Sequence, residues 1–233
     1  AEIGEFEEIK PGSVIKIDAG AHVNGYITDA AITVSFDEKY EKMIEVTKKA
    51  LNKALENIRA DMYTSDIGKI INSTVKNYGY STIKNLYGHL IKKYTLHAGK
   101  NIPNFDDGSK EIIKEGEVYA IKPFVTNGKG YVKEINIVKI YSLKKPFKKS
   151  KDEFSNLLNN IWLERYTLPF SVRWYKDKVD CFSFKKYLDD LVNNGEIIGY
   201  NVLVEESKGI VVQEEHTVII KDKKEILIPT YID

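Results

Sequence analysis

Residues 16–36, KIDAGAHVNGYITDAAITVSF, contain two β-strand patterns that meet around a turn. Residues 14–18 and 26–36 are rich in β-branched and apolar side chains, which predicts two paired strands. The turn-forming residues between them are Gly20, Asn24 and Gly25. Alternation along the second strand places Asp29 on one face, while Asp18 belongs to the first strand. The sequence therefore predicts two carboxylates on a rigid pair of strands.

Helical and strand patterns follow one another along the rest of the chain. Apolar residues at helical spacing predict a helix over 39–61, with Met43, Val46, Ala50, Leu51, Ala54 and Ile58 facing inward. Ser65 is predicted to cap a second helix that ends near residue 78. Further strands are predicted at 86–96, 118–124, 132–143, 197–204, 209–220 and 225–231, and further helices near 152–166 and 183–194. This mixture predicts the α+β class.

A change in composition after residue 143 marks the clearest boundary in the chain. The lysines of this boundary are Lys144, Lys145, Lys148, Lys149 and Lys151. Two predicted helices then interrupt a half that is otherwise rich in strands. We therefore expect a catalytic-type domain whose first part is 1–143, a helical insertion subdomain at 144–200, and closing strands at 201–233.

The bulk composition is that of an ordinary globular protein. The 233 residues carry a net charge of +1, which gives no general attraction to nucleic acid or to membrane surfaces. The single cysteine, Cys181, excludes an intramolecular disulfide framework and is typical of a reducing compartment. No apolar run approaches the roughly 20 residues of a membrane-spanning helix. We expect a cytoplasmic protein with no membrane partner.

Four residues scattered along the chain could together bind metal. Asp18, Asp29, His89 and Glu215 supply carboxylate and imidazole groups, the mixture that Mn, Fe, Co and Zn accept. Strands can bring such distant side chains together because they hold side-chain directions rigidly. Taken singly, each residue has an ordinary alternative: an aspartate in an ion pair, or a histidine with a hydrogen bond in the core.

Four blocks of the sequence resemble, in order and spacing, the signature blocks of methionine aminopeptidases, most closely those of type II. The blocks are 16–36, 85–103 (NLYGHLIKKYTLHAGKNIP), 115–124 (EGEVYAIKPF) and 213–220 (QEEHTVII). The stretch LPFSVRWY at 168–175 is similar to the helical insertion that marks type II. The resemblance implies the pita-bread fold, in which helices lie outside curved antiparallel strands.

The resemblance also implies roles for individual residues. Asp18 would bind one metal ion and His89 a second, while Asp29 and Glu215 would bridge both. His97 would contact the substrate and polarise the scissile amide. The implied substrate is the N-terminal methionine of nascent polypeptides, and the implied cofactor is a pair of divalent ions (Mn, Fe, Co or Zn).

Lys122 departs from the family pattern. The family carries a glutamate at this position, which binds the same metal ion as His89. Three carboxylates and one ammonium leave a charge of about −2, which balances one divalent ion. Lys122 therefore stands in for a cation, turns away towards solvent, or is held neutral by metal. The first alternative is the most economical, and it implies one ion or none.

A second departure lies at the start of the chain. Family members have a further segment before the first block, which supplies part of the fold and an active-site histidine. The sequence begins AEIGEFEEIKPG, so we expect that the N-terminal part of the fold is missing from it. His22 matches a residue that is not a ligand in the family, and we interpret it as structural.

Two functions from different classes follow from these observations. The first is a methionine aminopeptidase that uses the retained metal ligands. The alternative is a catalytically inactive pita-bread protein that binds protein or RNA, with the ribosome near the tunnel exit as its partner. In that case the lysines after residue 143 would contact RNA phosphates. As the loss of a metal-binding carboxylate weakens both metal affinity and catalysis, Lys122 is the residue that separates the two.

Overall fold

The structure, a computed structural model, describes residues 8–148, 150 and 152–231. The first half of this part contains β1 (Val14–Val23), β2 (Tyr26–Ser35), α1 (Glu41–Asn57), α2 (Thr64–Lys76), β3 (Ser81–Thr82), β4 (Tyr87–Ile91), β5 (Asn101–Pro103), β6 (Val118–Ile121) and β7 (Phe124–Thr126). The second half contains β8 (Val132–Leu143), α3 (Glu153–Arg165), α4 (Cys181–Asn193), β9 (Ile197–Glu205), β10 (Val211–Gln213), β11 (His216–Ile220) and β12 (Ile226–Leu227). Helices and antiparallel strands both contribute, and the predicted α+β class is confirmed.

The described residues divide into two compact units. The larger unit combines Ile9–Lys133 with the residues from Val204 onward, and the smaller one contains Glu134–Leu203. The predicted insertion, 144–200, falls within the smaller unit, and its borders at 143 and 200 stay predictions. No described helix combines the length and the apolar character that crossing a membrane requires.

Two helices and three antiparallel sheets form the larger unit. The sheets have the strand orders β1-β2, β10-β7-β3 and β12-β11-β6-β4-β5. The predicted inner face of α1 is buried, from Met43 to Ala54, and Ile58 beyond the helix end is buried as well. These side chains join the inner face of α2 and buried residues of β6 and β11 in one apolar core. The sheets position every candidate metal ligand on a strand or directly beside one.

The hairpin of β1 and β2 turns on two residues only. Asn24 and Gly25 have φ angles of 50° and 85°, and Val23 pairs with Tyr26 across them. Two central residues with positive φ give the turn type whose twist matches that of the flanking strands. The prediction that Gly20 lies in the turn was wrong, since this residue is inside β1.

Helix boundaries differ from the predicted ones for local reasons. The first helix was predicted to reach residue 61, but α1 ends at Asn57 because Ile58 has an extended backbone, with φ −61° and ψ 125°. The predicted cap at Ser65 was wrong. Tyr63 is the N-cap residue of α2, while the Ser65 hydroxyl donates a hydrogen bond to the Ser109 carbonyl at 2.6 Å.

Several predicted strands are shorter or divided, whereas β8 matches its predicted range of 132–143. The predicted strand 118–124 divides into β6 and β7 around Pro123, which has no amide hydrogen for a sheet. The predicted strand 209–220 divides into β10 and β11. The ranges 86–96 and 225–231 contain only the shorter strands β4 and β12.

The smaller unit has a core of its own. The sheet β8-β9, α3 and α4 surround buried aromatic residues, including Phe170 and Phe184. Asp152 and Asp180 cap the two helices, each accepting a hydrogen bond of 2.8 Å from a backbone amide of the first turn. These caps explain where the two predicted helices begin, since an N-cap aspartate satisfies an amide that the helix leaves unpaired.

Candidate metal centre

A row of side chains crosses the strands of the larger unit. Asp18 of β1 pairs with Ala31 of β2, and Ala31 forms a bridge with Glu215. The register of β11 against β6, continued by one residue, places Glu215 beside Lys122. Residues paired across strands project to the same face. Asp18, Glu215 and Lys122 therefore meet on one face, where the small Ala31 side chain leaves space between the two carboxylates.

Asp29 and His89 lie one step along the strands from this row. Asp29 precedes Ala31 by two residues, and His89 of β4 pairs with Ala120, two residues before Lys122. A spacing of two keeps side chains on the same face of a strand. Both residues are buried, with 4% of their surface exposed. The structure thus brings together the four predicted ligands and Lys122.

The Lys122 side chain points into this cluster. Its Nζ lies 2.7 Å from Glu215 Oε2, 3.1 Å from Asp18 Oδ2 and 3.9 Å from Asp29 Oδ2, and only 13% of the side chain is exposed. Of the alternatives left open by the sequence, turning towards solvent is wrong for this structure. The shortest contacts of the ammonium are thus with Glu215 and Asp18, and its contact with Asp29 is longer.

Gln213 is a member of the site that the sequence analysis missed. Its Nε2 donates hydrogen bonds to Asp18 Oδ2 at 2.7 Å and to Glu215 Oε2 at 3.2 Å. The backbone of Gln213 is fixed in turn by the Thr33 hydroxyl, which donates to its carbonyl at 2.6 Å. Gln213 precedes Glu215 by two residues, and this spacing is the signal that could have found it. The amide and the Lys122 ammonium thus donate to the same two oxygens.

The other side of the cluster holds buried polar atoms without partners. Among the described residues, Asp29, His89 and Glu215 each offer one ligand atom, and these atoms all lie within 4.8 Å of one another. Both ring nitrogens of His89 and the Oε1 atom of Glu215 are buried and make no hydrogen bond. The His89 Nε2 atom is 3.6 Å from Asp29 Oδ2. Since buried polar groups are normally paired, this arrangement fits a cation.

The electrostatics of the cluster agree with that fit. Burial, together with the nearby His97 and the positive charge of Lys122, lowers the pKa of His89 to about 3, so the ring is neutral and can bind metal. The Leu96 backbone lies close enough to the ring to oppose this shift, but not in the geometry of a hydrogen bond. Burial would lower the pKa of Lys122, but the three carboxylates outweigh it and raise this pKa. Burial raises the pKa of Asp29 and of Glu215 in spite of the ammonium. Three carboxyl groups thus share a single ammonium, and burial makes the ionised form of Asp29 and Glu215 costly unless a further cation is bound.

The loop after β4 places His97 beside His89. The two rings meet edge to face, with centroids 4.4 Å apart, and His97 is exposed. Tyr94 of the same loop donates its backbone amide to the Gly25 carbonyl at 2.8 Å, and a Cβ on Gly25 would collide with the Tyr94 ring. This contact fixes the loop on the hairpin turn. Tyr94 is a second residue that the sequence analysis did not identify.

His22 acts on the same turn. Its Nδ1 accepts a hydrogen bond from the Gly25 amide at 3.3 Å, and its ring lies edge to face with that of Tyr94 at 5.9 Å. These contacts stabilise the turn, in agreement with the structural interpretation of His22.

The set of ligand atoms from Asp29, His89 and Glu215 is typical of a catalytic metal site. One imidazole and two carboxylates suit Zn, Mn, Fe or Co, and three protein ligands leave positions for water and substrate. Four ligands of a closed structural site would leave no such position. The geometry therefore favours metal-assisted chemistry over a purely structural ion.

Comparisons with known proteins identify relatives over nearly the whole chain. The family model described as metallopeptidase family M24 matches residues 3–222. A methionine aminopeptidase of Saccharolobus solfataricus is 41% identical over 221 residues, which cover 94% of this chain and 73% of the relative. A methionine aminopeptidase of Pyrococcus horikoshii is 37% identical, with coverage of 94% and 74%.

Solved structures show the same fold. A thermophilic Arx1 superposes with a TM-score of 0.79 at 18% identity, over 97% of this chain and 70% of that one. The methionine aminopeptidase of Thermotoga maritima superposes with a TM-score of 0.62 at 21% identity, over 96% and 66%. The predicted pita-bread fold is confirmed by these likenesses and by the family model.

Proposed function

The chain belongs to metallopeptidase family M24, and we propose that it is a metal-dependent aminopeptidase that removes the N-terminal methionine of nascent polypeptides. Curated relatives that are 41% and 37% identical over most of the chain are methionine aminopeptidases. The observation that carries the proposal is the buried group Asp29, His89 and Glu215, whose ligand atoms converge and include atoms without hydrogen bonds.

These three residues would hold a divalent ion such as Mn, Fe, Co or Zn. When bound, the ion supplies Lewis-acid polarisation of the scissile carbonyl and lowers the pKa of water to near neutrality. The protein contributes a neutral imidazole at His89 and carboxylates on rigid strands. Lys122 and Gln213 hold one oxygen of Glu215 and one of Asp18, which fixes how these carboxylates are oriented.

His97 would act on the substrate. Its exposed ring lies beside His89, at the edge of the buried ligands, where the scissile amide of a bound peptide would lie. An imidazole there can hydrogen-bond the peptide and transfer a proton to the leaving amine. The loop contact between Tyr94 and Gly25 holds this ring in position.

The alternative, an inactive protein that binds the ribosome, stays a prediction. Of the lysines on which it rests, Lys144 donates to the Gly195 carbonyl at 2.7 Å, so its ammonium also has a partner within the protein. Lys149 and Lys151 lie outside the described residues.

The experiment that tests the proposal is methionine release from a Met-Ala-Ser peptide by the full-length protein with added Mn(II) or Co(II). We expect release that EDTA abolishes, that the His89→Ala variant lacks, and that an N-acetylated peptide does not support. Binding of metal without release of methionine would overturn the aminopeptidase and favour the binding protein. Strong salt dependence of ribosome binding, lost on neutralising the lysines after residue 143, would support that alternative directly.

A further inference from the structure

The two sides of the candidate metal centre are not equivalent. We infer that the centre takes a single divalent cation, between Asp29, His89 and Glu215, and that the ammonium of Lys122 replaces a second cation between Asp18 and Glu215. This inference rests on the proposed metal site and not on the proposed substrate. It makes Lys122 a positioning residue with a fixed charge.

The Asp18 side already has a cation, and that cation belongs to the chain. Lys122 Nζ is within 3.9 Å of oxygens from all three carboxylates, and within 3.1 Å of those from Asp18 and Glu215. These oxygens are the ones that a metal ion on this side would need. The side chain reaches them across the small Ala31, with its ammonium in the space between the carboxylates. A divalent ion and this ammonium cannot occupy the same space.

Gln213 completes the closure of this side. Its amide donates to Asp18 Oδ2 and to Glu215 Oε2, the same two oxygens that contact Lys122. Each oxygen thus has one amide donor and one ammonium donor. A second metal ion would have to displace both, and would then face a positive charge a few ångströms away. The Asp18 side is therefore closed by geometry as well as by charge.

The His89 side is open for the opposite reason. Glu215 directs Oε2 to Lys122 and Gln213, while its Oε1 is buried and has no hydrogen bond. The two ring nitrogens of His89 are likewise without hydrogen bonds. One carboxylate thus serves two sides, one satisfied by the protein and the other not. An ion that binds the His89 ring and the Oε1 atom of Glu215 has no hydrogen bond of these atoms to displace.

The position of the ammonium separates this inference from a simple loss of one ligand. Lys122 stands where the family pattern has a glutamate for the ion held by His89. Loss of that glutamate alone would weaken the His89 side and leave the Asp18 side intact. The structure instead shows the lysine extended to the Asp18 side, so that the altered residue lies at one metal position and blocks the other.

Manganese binding tests the inference without any assay of activity. The full-length protein, freed of metal, is titrated with Mn(II) alone, with stoichiometry from calorimetry and coupling between ions from electron paramagnetic resonance. We expect one Mn(II) per chain and a spectrum without spin coupling. Two coupled ions in the unaltered protein would overturn the inference, and so would no bound ion.

Two variants of Lys122 separate the effect of its positive charge from the effect of the carboxylate that is missing at this position. Lys122→Glu should bind two Mn(II) ions that are spin-coupled. Lys122→Gln removes the charge without adding a carboxylate, and should bind a second ion at least tenfold more tightly than any second binding event in the unaltered protein. If Lys122→Gln still bound one ion while Lys122→Glu bound two, the missing carboxylate and not the ammonium would be decisive, and the inference would be wrong.

The matched control is Lys129→Gln, which alters an exposed lysine of the same unit and should leave the stoichiometry at one. Thermal melts show whether each variant is folded, and the stoichiometry of the unaltered protein decides the matter if a variant is not. One bound ion without methionine release supports this inference and overturns only the proposed substrate.

Discussion

Two buried glutamates of the larger unit, Glu205 and Glu215, differ in what surrounds their carboxylates. Glu205 accepts hydrogen bonds from the amide and hydroxyl of Ser207, at 2.6 and 2.7 Å, and from the amides of Gly209 and Gly130, at 2.9 and 3.2 Å. Burial would raise the pKa of Glu205, but these donors, led by Ser207, outweigh it and lower the pKa to about 2. This carboxylate is fully satisfied by the chain and joins two loops.

Glu215 has the opposite surroundings. One of its oxygens accepts from Lys122 and Gln213, the other has no hydrogen bond, and two further carboxylates lie close by. Burial raises the pKa of Glu215, and the charges of Asp29 and Asp18 add to that effect against the opposition of Lys122. Burial alone therefore does not identify a functional carboxylate. A functional carboxylate is identified by having too few hydrogen-bond donors and by other carboxylates close to it.

Replacing each glutamate by glutamine should have unequal effects on the stability of the metal-free protein. Glu205→Gln removes the negative charge that several hydrogen-bond donors share, and its NH2 group, itself a donor, faces those donors. We therefore expect the free energy of unfolding to fall by about 3 kcal/mol. Glu215→Gln relieves repulsion among the carboxylates, and Lys122 keeps Asp18 and Asp29 as partners, so this variant should lose less stability than Glu205→Gln. Urea denaturation of the two variants and the unaltered protein measures both. Equal losses in the two variants would contradict the proposed difference between the two carboxylates.

Added Mn(II) should distinguish the same two positions with a slightly smaller effect. At about 100 times its Kd, an ion that binds only the folded protein stabilises it by about 2.7 kcal/mol. We expect this increment in the unaltered protein and in Glu205→Gln, and its loss in Glu215→Gln. The rise of the Tm with and without Mn(II) is the measurement. A full increment in Glu215→Gln would exclude this residue as a ligand.

Lowering the pH should reduce the stability that Glu205 contributes, which is the smallest of the three expected effects. The pKa of this group falls from its ordinary value of 4.5 to about 2 in the folded protein, so its stabilisation is complete above pH 4.5 and is lost as the pH falls towards 2. The Tm of the unaltered protein should therefore decline between about pH 5 and pH 2.5 more steeply than that of Glu205→Gln. Parallel declines would show that other carboxylates control acid stability.

Much of the fold could be predicted because its signals are local. The Asn24-Gly25 turn, the inner face of α1 and the strand β8 each follow from residue types a few positions apart. The errors were local as well, where a competing feature intervened. Pro123 divides a predicted strand, and the Ser65 hydroxyl bonds to Ser109 instead of capping α2.

The candidate metal ligands could be predicted from the sequence, but the contacts between their side chains could not. The resemblance to a family pointed to Asp18, Asp29, His89 and Glu215, and the structure places them together. Gln213 was missed although it precedes Glu215 by two residues, because that spacing alone does not show which distant residue its amide meets. Its contact with Asp18 joins residues 195 positions apart in the chain.

The sequence by itself determined the chemical groups available to this protein: its carboxylates, its histidines and the lysine among them. It also indicated the strands that carry Asp18, Asp29 and His89, through β-branched and apolar residues a few positions apart. That Lys122 meets Asp18 and Glu215, while His89 approaches Asp29, follows only from the folded chain. These contacts depend on the register between strands that are distant in sequence, and on which donor lies closest to each oxygen. Such distances arise only when the strands pair, because the local pattern of residues carries no information about them.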